Sequence, residues 1–290
     1  MAHSSPLDGR VVLITGAARG IGAHTARLLA ARGARVSLTG LEPDRLKALA
    51  AELGERHAWF ECDVTDQKSV DAAVAATADH FGRIDAVMAN AGVAAYGTVR
   101  TYDPEAFAHT VDVNLTGAFR TVHAALPHVI ERRGYVLIVA SLASFTPVAG
   151  LAAYAASKAG ADSLACALRQ EVAHLGVAVG SAHPSWIDTD MVRGAKRDLS
   201  SFGEALRHMP PPANSTTSVE KCAAAITAGI ERRARRIYVP RTVAGANWLR
   251  AVLTGPLADR VAARTTPTLI PRMEEEISAL GRSFGAHVRE

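Results

Sequence analysis

The sequence predicts an α/β fold: a doubly wound, parallel seven-stranded sheet in a single domain over residues 7–240, followed by a C-terminal helical extension over 241–290. Two observations predict it. Seven short apolar runs are continuous rather than alternating, as strands buried on both faces of a parallel sheet require. Stretches of helix-forming composition separate these runs, with neither a linker nor an internal repeat. At 290 residues and 49% hydrophobic content, the chain can build one large core.

The elements follow in order. Val11–Ile14 is the first strand and ends in Thr15-Gly16; Ala23–Arg32 is helical. Arg35–Thr39 and a helix over Pro43–Leu53 come next, then Trp59–Asp63 and a helix over Gln67–Phe81. Ala86–Asn90 precedes a long helical region, Pro104–Arg132. Tyr135–Ser141 precedes a helix over Ala152–Leu175, rich in Ala, Leu, Glu, Gln and Arg. Val177–Ala182 is the sixth strand and Arg236–Pro240 the seventh. Between them, residues 192–218 are polar, contain Pro210-Pro211-Pro212 and read as a loop. Thr217-x-x-Glu220 reads as a capping box that starts the next helix.

Composition narrows the function. A net charge of +4 is a mild basic bias that fits an anionic small ligand. No aromatic-interleaved basic stripe or zinc-finger spacing points to nucleic acid. Cys62, Cys166 and Cys222 lie far apart with no CxxC pair, which argues against a disulfide framework and a metal site. The start, MAHSSPLDGR, lacks an apolar signal region, and no apolar run reaches the roughly 18 residues of a membrane span. A cytoplasmic location is expected.

In such a sheet, ligands bind at the carboxyl ends of the strands. After the first strand stands Thr15-Gly16-Ala17-Ala18-Arg19-Gly20-Ile21-Gly22. Glycines at a strand–helix junction let the backbone approach a pyrophosphate, and the helix N-terminus favours its charge. Tyr154 and Lys158, in YAASK, share one helix face at i and i+4. A nearby ammonium lowers a phenol's pKa and would make Tyr154 a tuned acid/base. A surface tyrosine beside a solvated lysine would show the same spacing.

Taken together, TGxxxGIG, Asn90-Ala91-Gly92, Ser141 and YxxxK resemble the short-chain dehydrogenase/reductase family, over roughly residues 7–240. The resemblance implies a Rossmann-like sheet and an NAD(P)-dependent interconversion of alcohol and ketone. It implies that Gly16, Gly20, Ile21 and Gly22 form the phosphate turn. Asp63 and Val64 would meet the adenine ring, and Asn90, Ala91 and Gly92 would support the adenosine ribose. Asn114 matches the asparagine of a proton relay. Ser141, Tyr154 and Lys158 match the catalytic trio, with Tyr154 and Lys158 also at the cofactor and Lys158 on the nicotinamide ribose. Pro184, Ile187 and Thr189 match the segment at the carboxamide and pyrophosphate. A homodimer or homotetramer is implied, built through the helices over 104–132 and 152–175. The bottom-up chemistry agrees: Tyr154 is the acid in reduction and the base in oxidation, and Ser141 holds the substrate oxygen.

Three departures matter. Pro184-Ser185-Trp186 replaces the family's Pro-Gly and brings a large apolar ring near the site. At the end of the second strand, Gly40 stands where an NAD-selecting acid is expected, and Leu41 where NADP-binding relatives often carry Arg. Arg19 resembles the basic residue of other NADP-binding members and can reach a 2′-phosphate. NADP is favoured; NAD stays open through Glu42, as does Arg19 as a solvated charge. Lastly, the chain continues about fifty residues past Pro240. Val243, Ala246, Leu249, Leu253 and Leu257 recur at helical spacing, as do Met273, Ile277 and Leu280. Helices packed on the domain or across a subunit interface, a membrane-surface helix and a lid are the readings.

The expected pocket lining is Val93–Ala95, Leu142, Ala143, Phe145, Val148, Trp186 and the 192–218 loop. It favours a lipophilic alcohol or ketone, although Arg193, Lys196, Arg197 and Arg207 in the loop leave a charged one open. The competing class is a non-catalytic dinucleotide sensor or scaffold that docks a partner through the basic extension. The intact trio favours the enzyme.

Overall fold

The computed structural model describes residues 5–208 and 214–285; the Pro210–Pro212 triplet and the Leu257 side chain lie outside the described residues. Strands β1 (Val11–Thr15), β2 (Arg35–Gly40), β3 (Ala58–Glu61), β4 (Ala86–Ala89), β5 (Tyr135–Val139), β6 (Ala178–Pro184) and β7 (Arg236–Val239) make one sheet. Their spatial order is β3-β2-β1-β4-β5-β6-β7, and every pairing is parallel. The chain winds outwards from β1 to β3, then returns to β4 beside β1. That reversal opens a ligand crevice at the carboxyl ends of β1 and β4.

Strand side chains alternate between two cores, which is why the apolar runs are continuous. Val12, Ile14, Leu137 and Val139 pack with α1 (Gly20–Ala31), α2 (Pro43–Leu53) and α9 (Val219–Glu231). Leu13, Val136 and Ile138 pack with α3 (Gln67–Phe81), α5 (Gly117–Glu131) and α6 (Ala152–Val172).

The helical region expected over 104–132 is divided. A helix α4 (Pro104–Val111) leads through a π-helical turn, Asp112–Thr116, into α5. Asn114 lies in that turn, where its side chain pairs with the Val93 backbone instead of facing solvent. Asparagine is a poor helix former, and a π-turn widens the backbone to admit such a contact. The polar 192–218 segment is also not a plain loop. It forms α7 (Asp190–Asp198) and α8 (Ser200–His208). The capping box is shifted: Ser218, not Thr217, caps α9 by accepting from Lys221 N at 3.3 Å. Thr217 is held instead by its backbone, donating to Trp186 O at 2.8 Å and accepting from Asp188 N at 2.9 Å.

The extension folds as α10 (Val243–Trp248), α11 (Arg250–Leu253) and α12 (Pro256–Leu280). α12 clamps α8: Met273 is buried and Glu276 accepts from Ser201 N at 3.0 Å, while Arg282, just past α12, pairs with Asp198 at the end of α7 at 2.9 Å. Past α12, Ser283 O accepts from Tyr96 N at 2.8 Å. Among the described residues no helix is long and apolar enough to cross a membrane.

Candidate active site

Two groups of the expected residues meet at the crevice. The first surrounds the glycine turn. Gly16 and Gly20 hold φ of 64° and 53°, which side chains resist. A Cβ on Gly16 would stand 2.8 Å from Ala91 Cα, and one on Gly22 would strike the Gly16 carbonyl. Asn90 fastens the junction, its Nδ2 donating to Thr15 O at 2.9 Å and Gly16 O at 3.1 Å. Thr189 caps α7 and brings its Cγ2 within 3.5 Å of where a Gly20 Cβ would stand. Ile21 and Ile187 pack in the core beneath. Arg19, the N-cap of α1, supplies no side-chain acceptor, so the first-turn N–H groups remain available to an anion.

The second group stands at the ends of β5 and β6. Tyr154 and Ser141 line the same cavity; Ser141 Oγ accepts from Ala143 N at 3.1 Å and lies 3.4 Å from Pro184 O. Lys158 is buried and donates from Nζ to Val139 O at 2.9 Å. Asn114 is nearly saturated: Val93 N donates to its Oδ1 at 2.8 Å, and its Nδ2 reaches Val93 O at 2.9 Å and Ser157 Oγ at 3.0 Å. A Cβ on Gly92 would stand 3.1 Å from Asn114 Oδ1 and 3.3 Å from Lys158 Nζ, so a side chain there would crowd both groups.

Burial sets the electrostatics of Tyr154 and Lys158. Lys158 Nζ lies 5.8 Å from the centre of the Tyr154 ring, over its face. Burial raises the Tyr154 phenol above its ordinary value, while the Ser141 hydrogen bond pulls it the other way. Burial also lowers the Lys158 ammonium to about 8. In the unliganded site desolvation dominates both groups, and for Tyr154 the neighbouring Ser141 opposes it.

Other expected residues stand apart. Asp63, at the end of β3, spends Oδ1 on its own turn, accepting from Thr65 N at 2.8 Å and Thr65 Oγ1 at 2.7 Å. Val64 O accepts from Arg120 Nη1 at 3.2 Å. Arg19 is not a solvated charge. It forms a two-point pair with Glu42, with Nε 2.8 Å from Oε2, and Arg45 Nε flanks Glu42 Oε1 at 3.4 Å. Gly40 beside them leaves room, since its Cβ would meet nothing closer than 3.8 Å.

A cavity of about 480 Å³ opens over Ser141 and Tyr154. Ala94, Leu142, Ala143, Val148 and Trp186 line it as expected. Phe145 does not; it is buried against His183, ring centres 5.2 Å apart. Val93 and Ala95 are also absent from the wall. Met191, Val192, Ala195 and Phe202 enter it from α7 and α8, and Val243, Leu249 and Leu253 from α10, the residue after it and α11. Among the described residues no side chain with an ordinary charge lines it. Arg193 and Arg197 turn away to Asp190 and Asp198.

His183 is a residue that the sequence reading missed. It is fully buried beneath Ser141, with Nδ1 3.3 Å from Ser141 O and Nε2 3.0 Å from Ser181 Oγ and 3.4 Å from Asp162 Oδ1. A carbonyl only accepts, so Nδ1 carries a proton. Burial pushes the Asp162 carboxyl up, but the hydrogen bonds and charges of His183, Arg236 and Ser181 outweigh it and leave it below its ordinary value. The available signal was a histidine in an otherwise apolar strand that ends beside the expected carboxamide segment.

The comparisons with known proteins bear on this geometry. The family model for short chain dehydrogenases matches residues 10–200. The chain belongs to the short-chain dehydrogenase/reductase family. It is an oxidoreductase of that family, whose members bind NAD or NADP. D-threitol dehydrogenase of Mycolicibacterium smegmatis is 36% identical over 224 residues, 76% of this chain and 85% of that one. The crystal structure of levodione reductase superposes with a TM-score of 0.74 at 27% identity, covering 80% of this chain and 96% of that one. The 3-ketoacyl-(acyl-carrier-protein) reductase of Brucella melitensis, solved with NADH, gives a TM-score of 0.73 at 27% identity, covering 80% of this chain and 97% of that one.

Proposed function

We propose that the chain interconverts an apolar alcohol and ketone, with Tyr154 as the acid/base, Ser141 holding the substrate oxygen and Lys158 serving Tyr154 and the cofactor ribose. The observation that carries this reading is that Tyr154 and Ser141 together line an apolar cavity, with Lys158 buried one helical turn on from Tyr154.

The residues present fit a dinucleotide. The glycine turn and the uncapped start of α1 would receive its pyrophosphate, with Thr189 above them. Asn90 and Ala91 hold that turn against β4. Gly92, Lys158, Pro184 and Ile187 would border the nicotinamide half, and Asp63 and Val64 the adenine. When bound, the reduced nicotinamide supplies the hydride.

The chain's own residues do the rest. Ser141 donates to the substrate oxygen and fixes it beside the Tyr154 hydroxyl. The phenol is protonated near neutrality, as an ordinary tyrosine is, and can give its proton to the forming alkoxide. Asn114 keeps the π-turn open, and its side chain is committed to Val93 and Ser157. A water in a relay would then use backbone oxygen of that turn rather than the Asn114 amide. His183 steadies Ser141 through its carbonyl. The cavity wall without charged groups favours a lipophilic substrate.

NADP is the favoured cofactor, because two guanidinium groups, Arg19 and Arg45, share the single carboxylate of Glu42 beside the open Gly40. The same Glu42 favours NAD as the second reading, since a carboxylate there can accept from a ribose hydroxyl. Parallel fluorescence titrations with NADPH and NADH test this. Tighter NADPH binding that is lost in Arg19→Ala supports the phosphate site. Tighter NADH binding that is weakened in Glu42→Gln overturns it. Binding of neither favours the non-catalytic scaffold reading.

A further inference from the structure

Trp248, Leu249, Val252 and Leu253 stand exposed on α10, α11 and the residue between them, Trp248 with 86% of its surface in solvent and Leu249 with 56%. Val261 is exposed on α12, the helix packed beside α11. Folding commonly covers side chains of this size when they cluster. Arg241, Arg250, Arg260 and Arg264 belong to the same stretch of chain and are all exposed. Among the described residues none of these four has a carboxylate within ion-pair distance, whereas Arg27 and Arg272 elsewhere on the surface pair with Glu52 and Glu204. From 241 to 264 the chain carries four arginines and one acid, Asp259. Leu249 and Leu253 also line the cavity, so the apolar surface runs on into the cavity mouth.

We propose that this surface docks on an anionic lipid bilayer, with α10 and α11 lying in the headgroup region and the cavity opening onto the membrane. A tryptophan among aliphatic side chains suits the interface between headgroup and acyl chain. Arginines without protein partners match anionic headgroups. The helices are too short to span, so the contact is peripheral. A symmetric contact between two copies would bring the same four unpaired guanidinium groups together, and like charges oppose it. An acidic protein would satisfy the arginines but would close the apolar mouth of the cavity. The proposal stands on this surface alone and is independent of the catalytic reading.

The test uses the full chain with vesicles of phosphatidylcholine alone or mixed with phosphatidylserine. Co-sedimentation with the anionic vesicles is expected, with little on the neutral ones. Tryptophan emission should shift to the blue on binding, and Trp248→Phe should remove that shift while the protein still sediments. Trp248→Ser with Val252→Ser should abolish sedimentation, and Arg250→Glu should weaken it about tenfold. All are exposed positions, so an unchanged thermal transition confirms folding. Absence of sedimentation at low salt overturns the proposal. So does equal binding to neutral vesicles. A concentration-dependent dimer dispersed by Trp248→Ser, without vesicle binding, assigns the surface to a second copy instead.

Discussion

Replacing Lys158 by methionine is expected to stabilise the fold while removing turnover. Lys158 keeps only 4% of its surface in solvent. Burial lowers its ammonium from an ordinary 10.5 to about 8. Holding it charged near neutrality thus costs the folded state about 3 kcal/mol. Methionine fills a similar volume without charge. It also leaves the Val139 carbonyl without its donor, a loss of about 1 kcal/mol. The net expectation is a variant about 2 kcal/mol more stable at about pH 7. The sign follows from the folded value lying below the unfolded one. Below about 8 both states of the wild type are protonated and the penalty is complete. Between about 8 and 10.5 the folded state releases its proton first, so wild-type stability rises with pH relative to the variant. Urea unfolding of both proteins without cofactor, at neutral and strongly alkaline pH, measures this. A variant that is less stable at neutral pH would refute the reasoning. So would an advantage that does not shrink as pH rises.

Three further outcomes are expected. Gly22→Ala should weaken cofactor binding by at least about tenfold in a fluorescence titration, because its Cβ would strike the Gly16 carbonyl and stand 2.8 Å from Asn90 Nδ2. His183→Leu should lower stability by about 2 kcal/mol in urea unfolding, because it leaves the Ser141 carbonyl without its ring donor and the buried Ser181 hydroxyl without its ring partner. The kcat/KM for the cofactor, which reports the unliganded enzyme, should fall as pH rises above about 8, where Lys158 loses its charge; a flat profile would exclude Lys158 as the titrating group.

What was legible in the sequence was local. The glycine turn, Asn90 to Gly92 and YAASK each follow a strand or open a helix, so short-range spacing and strand order suffice to bring them together. The missed features depend on contacts between distant segments. Arg19 and Glu42 meet because the ends of β1 and β2 adjoin, and the pairing is invisible until the sheet is built. The polar 192–218 segment holds α7 and α8 because residues more than sixty positions on reach back to it, Glu276 of α12 to Ser201 and Arg282 just past α12 to Asp198. The stripe at Leu249 and Leu253 has helical period, yet it faces the cavity mouth and solvent rather than a core. Periodicity identifies an apolar face but not what covers it. His183 lacked any period; its partners Asp162 and Ser141 lie on α6 and past β5.

The most direct test of the catalytic reading is hydride transfer from NADPH and NADH to a panel of apolar ketones, followed by loss of the reduced cofactor's absorbance, in wild type and Tyr154→Phe. Turnover by the wild type, falling about 10²- to 10⁴-fold in the variant with cofactor binding retained, is the predicted result. Full activity in Tyr154→Phe would contradict the assignment of Tyr154 as the proton donor.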